Sequence, residues 1–237
     1  MSDAHGNETG LMRCLTFFEG VGVDRIFFLG DLGGYFPWSD RAFEMLESVQ
    51  AFCLLGNHDA MLIGQSKLDE NKDRVYQINR SQNRVSRRIL RQIATRLPYG
   101  RTKIDDKNIL LVHGSPWDPL RGYIYPDSDL NSFSGLPFDF VFMGHTHTPF
   151  IRQSGAVTVV NVGSCGLPRD QGNLASCAIL DTQTGKCEII RFAFDVQDLV
   201  EQYANRLHPS VVSVLLRTPP RQIIGKVMEG HNPCVKK

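Results

Sequence analysis

No apolar run in the chain approaches the roughly eighteen residues that cross a bilayer, so no membrane partner is expected. The opening residues, Met1-Ser2-Asp3-Ala4-His5, lack the basic and apolar stretches of a signal peptide, and the expected compartment is the cytoplasm. An excess of one charge is missing too. Lys and Arg number 26 against 25 Asp and Glu, a formal net charge of +1, without the basic surplus of a general nucleic-acid binder. The six cysteines, at 14, 53, 165, 177, 187 and 234, make no C-x-x-C pair. Zinc-finger and thioredoxin chemistry therefore have no support, and without an export signal the thiols are expected reduced. Cys53, inside Ala51-Phe52-Cys53-Leu54-Leu55, reads as a small core residue. Internal repeats and low-complexity tracts are absent.

What is present is a globular chain of 237 residues, 42% apolar and 22% charged, ample for a buried core. Leu11, Leu15 and Phe18, with Met12 beside them, mark one face of a helix entered through Asn7. Residues 26–29 read as a buried strand, 40–49 as a helix with Phe43, Leu46 and Val49 inward, and 51–55 as a second strand. This strand–helix alternation predicts an α/β core with parallel pairing. The polar segment 65–97 predicts two helices. In its second half Val85, Ile89, Ile93 and Leu97 form an inward stripe, and Arg84, Arg87, Arg88 and Arg91 share another face. Strands are expected at 101–105, 108–112, 139–143, 150–153, 157–161, 175–181 and 186–194. Turn signals lie at Asp105-Asp106, Ser154-Gly155 and Thr184-Gly185. A closing helix is expected over 196–207, ending a single domain that spans 1–207 with a helical insertion at about 65–97. Residues 208–237, with prolines at 219 and 220, read as a loosely held tail.

Five polar islands interrupt this pattern: residues 2–7 (Ser2-Asp3-Ala4-His5-Gly6-Asn7), Gly30-Asp31, Gly56-Asn57-His58-Asp59, His113-Gly114 and Gly144-His145-Thr146-His147. All but the first directly follow an apolar strand, and ligands of open α/β sheets gather at the carboxyl ends of strands. Five of the seven histidines lie inside these islands; His208 and His231 do not, and no role is assigned to them. A lone histidine at a strand end is usually a hydrogen-bonded structural residue, and Gly56-Asn57 alone would be an ordinary turn. Together, His, Asp and Asn make a mixed nitrogen and oxygen donor set without thiolate, suited to manganese, iron, nickel or zinc rather than to magnesium or calcium alone.

The series D-x-H, G-D, G-N-H-D, H-G and G-H-T-H, in that order, resembles the calcineurin-like metallophosphoesterase superfamily. The likeness runs from residue 2 to about residue 195. His113-Gly114-Ser115-Pro116, Asn161-Val162-Gly163-Ser164 and Pro168-Arg169-Asp170 are similar to the small bacterial and archaeal phosphodiesterase-like members. The resemblance implies a four-layer α/β sandwich, two mixed β-sheets packed face to face and flanked by helices. It implies one metal on Asp3, His5, Asp31 and His147 and a second on Asp31, Asn57, His113 and His145. Two divalent transition-metal ions, manganese first among them, would clamp a phosphoryl group and hold a bridging hydroxide, typically about 3.5–4 Å apart. His58 would protonate the leaving alkoxide or hydrogen-bond a phosphate oxygen, with Asp59 orienting and charging its ring.

The departures from relatives bear on the substrate. Serine/threonine phosphatases and symmetrical dinucleoside tetraphosphatases carry G-D-x-x-D-R-G and G-N-H-E-x-R, whose arginines grip phosphate. Here Leu32-Gly33-Gly34-Tyr35-Phe36-Pro37 follows Asp31, and Ala60-Met61 follow Asp59. The G-D-x-x-G-Y-x-P form resembles small phosphodiesterase-like members instead. Substrate contacts are expected from the loop Trp117–Asp129, with Arg121, Tyr123 and Tyr125 as candidates. The expected function is hydrolysis of a small phosphoester, monoester or diester. An interaction scaffold like the retromer subunit of this fold, and a nuclease, are the alternatives. The first has little need for a complete cage, and the second wants a broad basic groove. One further expectation concerns the start of the chain. Related sequences place a central strand of about five apolar residues before the first metal-ligand motif; here only Met1 and Ser2 precede Asp3, and the natural protein is expected to begin upstream.

Overall fold

A computed structural model of the protein describes every residue except Ser39, Ala204, 220–221 and 229–237; His231 and Cys234 lie outside the described residues. Helix α1 (Glu8–Val21) begins where the Asn7 side chain accepts from the Gly10 amide at 3.2 Å, and stops at Gly22 in the left-handed conformation. Leu11, Leu15 and Phe18, one turn apart, are its buried stripe. Strands β1 (Phe27–Phe28) and β2 (Phe52–Cys53) pair in parallel around α2 (Asp40–Ser48). Then come α3 (Asn57–Leu62), α4 (Glu70–Tyr76), α5 (Ile78–Gln82) and α6 (Arg87–Ala94). The β-rich half holds β3 (Tyr99–Ile104), β4 (Lys107–Val112), a 3-10 turn at Asn131–Gly135, β5 (Phe140–Met143), β6 (Phe150–Ser154), β7 (Val157–Asn161), β8 (Leu174–Asp181) and β9 (Lys186–Ala193). The described chain closes with α7 (Val196–Gln202), α8 (Pro209–Leu215) and β10 (Lys226–Met228).

One mixed sheet has the order β3-β4-β5-β7-β6, parallel through β4, β5 and β7 and antiparallel at both edges. The other side is built from β10-β9-β8 and from the β1-β2 pair. The first three residues stitch these together. Leu29 N donates to Met1 O (3.0 Å) and Asp3 N to Gly30 O (3.0 Å). On the opposite side Cys165 N donates to Ser2 O (2.9 Å), and Ser176 N of β8 to Ser164 O (2.9 Å). Period-two alternation then sorts the side chains. Ile109, Leu111, Phe140, Phe142, Val160 and Val162 face the second sheet, meeting Leu29, Leu54 and Ile189. Leu110, Val112, Val141, Met143 and Val159 face the other way, over Phe133. Helices α1 and α2 cover the outer face of the second sheet through Leu11, Phe18, Phe43, Phe28, Cys177 and Ile190. Each such buried side chain contributes roughly 1.5–3 kcal/mol, so these stripes fix the layers. Beside Met1, a cavity of about 620 Å³ lined by Leu29, Leu111, Phe142, Val162 and Leu180 opens between the sheets.

Several expectations need correction. The segment 65–97 holds three helices, because Gln77 takes a left-handed φ of 57° and separates α4 from α5. Val49 and Leu97 are exposed, at 37% and 60%. Both lie past a helix end, and Leu97 precedes Pro98, which disfavours helical backbone at the residue before it. The closing helix ends at Gln202 rather than 207. Within the expected tail, α8 packs against the domain and β10 joins a sheet. His208 caps α8, Pro209 occupies its first turn, and Val211 and Leu215 are buried; β10 extends the sheet in parallel with β9. The five described cysteines are free. Among the described residues no helix is long and apolar enough to cross a membrane.

Candidate metal centre

The five islands converge. Asp31, Asn57, His113 and His145 follow β1, β2, β4 and β5, and Asp3 and His5 follow the stitched segment at the chain start. Asp3, His5, Asp31, His113, His145 and His147 are all buried. Five of them take left-handed backbone: Asp3 (φ 57°), His5 (51°), Asp31 (59°), His145 (63°) and His147 (58°). An L-residue in that region costs roughly 1–2 kcal/mol, and such strain concentrates at functional sites. Glycines permit the close approach. A Cβ on Gly56 would run into the Asp31 carboxylate, and one on Gly144 would come within 2.6 Å of Asp3 Oδ2.

Hydrogen bonds from behind orient each donor. Asp3 Oδ2 accepts from the His145 amide (3.0 Å) and Asp31 Oδ1 from the His58 amide (2.8 Å), leaving Asp3 Oδ1 and Asp31 Oδ2 for the centre. His5, His113 and His147 place Nδ1 against the carbonyls of Gly33 (3.0 Å), Leu29 (2.8 Å) and Leu167 (2.6 Å). A carbonyl only accepts, so each Nδ1 carries the proton and each Nε2 turns a lone pair inward. Those lone pairs face further acceptors. His5 Nε2 lies 3.0 Å from His147 Nε2, and His113 Nε2 lies 3.0 Å from the Asn57 side chain at Oδ1. Asp31 Oδ2 stands 3.7 Å from His5 Nε2 and 3.5 Å from His113 Nε2, between the two halves. Asp3 Oδ1 is 3.3 Å from His147 Nε2. Asp3 Oδ1 and His145 Nε2 are buried without a hydrogen-bond donor or acceptor partner. The sets Asp3–His5–His147 and Asp31–His113–His145 each bring three donor atoms within 4.8 Å of one another. Acceptors crowded this way, with no proton between them, fit a cation.

Protonation of the rings does not relieve the crowding. Burial, first, and neighbouring histidines push the His5 and His58 imidazoles well below their ordinary value, and burial takes His145 down to about 3. Burial and the charges of Asp3 and Asp59 raise the Asp31 carboxyl well above the carboxylate range. An unfolded chain protonates its histidines near pH 6.5, whereas these buried rings resist until much lower pH. Their contribution to stability is therefore present above about pH 6.5 and lost as pH falls towards the depressed values. Asp31 acts in the opposite sense, its contribution being lost as pH rises from the ordinary carboxylate range, but it is one group against three rings. For the chelated protein, the urea midpoint is expected to fall steadily between pH 7 and 5. A midpoint independent of pH over that window would show that the rings are solvated.

His58 stacks on Tyr35 (centroids 4.9 Å, 29°) and packs against Tyr76 (4.4 Å) and His5 (4.8 Å). Asp59 does not orient it. The Asp59 carboxylate accepts from the amides of Asp31 (2.9 Å), Leu32 (3.0 Å) and Gly56 (3.1 Å), closing the first turn of α3 and clamping the strand end that carries Asp31. Of the loop candidates, Tyr123 lies against His145 (4.2 Å) and stacks with Tyr125 (6.0 Å, 12°). Arg121 instead donates to Ser66 Oγ at 3.1 Å, tying the loop to the helical insertion. Three groups at the site were not expected from sequence: Tyr35, Tyr76 and Arg169, whose guanidinium donates to Tyr35 Oη at 3.1 Å. Tyr35 and Arg169 sit inside quoted motifs and had that signal; Tyr76 had none.

The family model of the calcineurin-like phosphoesterase superfamily domain matches residues 1–185. An uncharacterised protein of Methanocaldococcus jannaschii is 28% identical over 227 residues, covering 87% of this chain and 92% of its own. A metallophosphoesterase from Sphaerobacter thermophilus superposes with a TM-score of 0.75 at 26% identity, covering 91% of this chain and 96% of that one. A hypothetical protein from Pyrococcus horikoshii shares the fold, with a TM-score of 0.78 at 18% identity, over 91% and 95% of the two chains.

Proposed function

Because the chain belongs to the calcineurin-like phosphoesterase superfamily, in general metal-dependent hydrolases of phosphoesters, we propose that it cleaves a small phosphoester at a dinuclear centre. Asp3, His5, Asp31 and His147 hold one cation, and Asp31, Asn57, His113 and His145 hold the other. The observation that carries this reading is the pair of inward Nε2 lone pairs at 3.0 Å, with Asp31 Oδ2 between the two halves. Manganese suits the donor set, as do iron, nickel and zinc. When bound, two such cations neutralise phosphate charge and acidify water, which lets an anionic nucleophile reach an anionic ester.

The chain's own residues do the rest. Asp31 is kept in place by Asp59 through its amide and by the His58 amide through Oδ1. The carbonyls behind His5, His113 and His147 keep each Nε2 turned inward. His58, walled by Tyr35 and Tyr76, would gain a proton only once an anionic ester is bound beside it, and then pass it to the departing oxygen; in its neutral form its N–H would hydrogen-bond a phosphate oxygen. A screen of the manganese-reconstituted protein against phosphomonoesters, cyclic nucleotides and phosphodiesters tests the reading. Turnover of at least one class, abolished by chelation and restored by metal, is expected; no turnover of any class would overturn it.

A nuclease would use the arginine face as a groove. Arg84, Arg87, Arg88 and Arg91 are exposed to water, and Arg88 is committed to Glu47 of α2 at 2.7 Å. The insertion touches the site through Tyr76 instead. Reversing Arg87 and Arg91 to Glu is therefore expected to leave KM for a small ester unchanged at low ionic strength. A KM that rises at low ionic strength, by a difference that shrinks as salt is added, would return the face to the site.

A further inference from the structure

A phosphoester hydrolase without the motif arginines of its larger relatives needs another cation for the oxygens that the metals do not reach. The described surface of the site offers one such group. Arg169 follows the turn that supplies the Leu167 carbonyl to His147, and its own amide donates to the His147 carbonyl at 3.1 Å. It is thus one hydrogen bond from the cage along the backbone. Its guanidinium donates through Nη2 to Tyr35 Oη, and the Tyr35 ring lies edge-on to His5 (4.7 Å) and stacked on His58. Arg169 therefore stands beside the cage, one phenol away from His5 and His58.

Arg169 is half-exposed, and among the described residues no carboxylate pairs with it. Its neighbour in sequence is held very differently. Asp170 takes two hydrogen bonds, at 2.6 and 3.0 Å, from Arg191, which is completely buried. Arg191 is anchored further on the Leu174 and Ile224 carbonyls. Arg191, on β9, is spent on locking the loop to the sheet; Arg169, on the loop, is left among the described residues with only a phenol. A guanidinium without a counter-ion, fixed beside a cage that accepts anions, is a fork for phosphate oxygens.

The geometry points to Arg169 as the residue that grips the non-bridging oxygens of the substrate phosphate, with Tyr35 holding the guanidinium beside the centre. This rests on the hydrolase reading above and adds the group that binds the anion. The test is calorimetric titration of the manganese-loaded protein with inorganic phosphate, beside steady-state kinetics and metal content. Arg169→Ala is expected to weaken phosphate binding roughly tenfold to a hundredfold, the effect of losing a charge-assisted hydrogen bond or two. KM should rise in parallel and metal stoichiometry should stay unchanged. Arg169→Lys should recover part of the phosphate affinity. Tyr35→Phe, which keeps the stack on His58, should give a smaller loss. Phosphate affinity unchanged in metal-replete Arg169→Ala, or a wild type that binds no phosphate, would overturn the assignment. Phosphate binding that depends on Arg169 in a protein that hydrolyses no ester would leave the assignment standing and remove the hydrolase reading instead.

Discussion

Asn57→Ala and His113→Ala are each expected to lower turnover by roughly a hundredfold or more, with one metal equivalent retained instead of two. Asn57 Oδ1 and His113 Nε2 approach to 3.0 Å and address one point, so either truncation opens the same half of the centre. The fold should survive. Asn57 is half-buried at the first position of α3, where its side chain adds no apolar packing. His113→Ala forfeits the hydrogen bond to the Leu29 carbonyl, worth about 1 kcal/mol against a typical domain stability of about 5–15 kcal/mol. Metal analysis on the purified variants, with thermal melts as the control for folding, reads the result. Wild-type turnover with two equivalents bound would sink the dinuclear assignment.

His58→Ala is expected to separate substrates by their leaving groups. Turnover of alkyl phosphates should fall roughly 10²–10⁴-fold, the usual worth of a positioned proton donor, while nitrophenyl esters should lose far less. A nitrophenolate departs without a proton; an alkoxide needs one. Burial disfavours a charged His58 ring, so the role requires the bound phosphate anion to restore its proton. The ring is buried, it is held by aromatic contacts with Tyr35 and Tyr76, and its Nδ1 makes no hydrogen bond. Plotting rate against leaving-group pKa for wild type and variant measures the difference as a change of slope. Equal losses across the series would move His58 from proton transfer to binding.

The convergence of the islands was readable because four of the five follow a run of apolar residues, and a buried strand delivers whatever comes next to a common edge. Asp31 after Phe27-Phe28-Leu29 and His145 after Phe140–Met143 are of this kind. The pairing of Asp59 with His58 failed for a physical reason. Neighbours in sequence point about 100° apart on a helix, and residues 57–62 are helical, so the carboxylate turns to the amides of Asp31 and Leu32 while the ring turns to the tyrosines. Tyr76 was invisible because it arrives from the last position of a polar helix and touches His58 only through the tertiary fold. Val211 and Leu215 were readable in principle, one helical turn apart behind a His208-Pro209 start. The prolines further on suggested a tail, and burial of those two side chains overrides that reading. The stripe of Val85, Ile89 and Ile93 packed inward, and its extension to Leu97 ended where the helix did.

The five left-handed ligand residues bear on heat tolerance. At roughly 1–2 kcal/mol each, Asp3, His5, Asp31, His145 and His147 together withhold on the order of 5–10 kcal/mol from the polypeptide, comparable to the whole net stability of an ordinary domain. Glycine at the same places would relax the backbone and abolish the donors. The folded chain is thus sprung around its centre, and a cation held there as proposed would return that stability by mass action, binding only the native form. On that reading, metal supply would govern how long the molecule survives warming as well as whether it turns over.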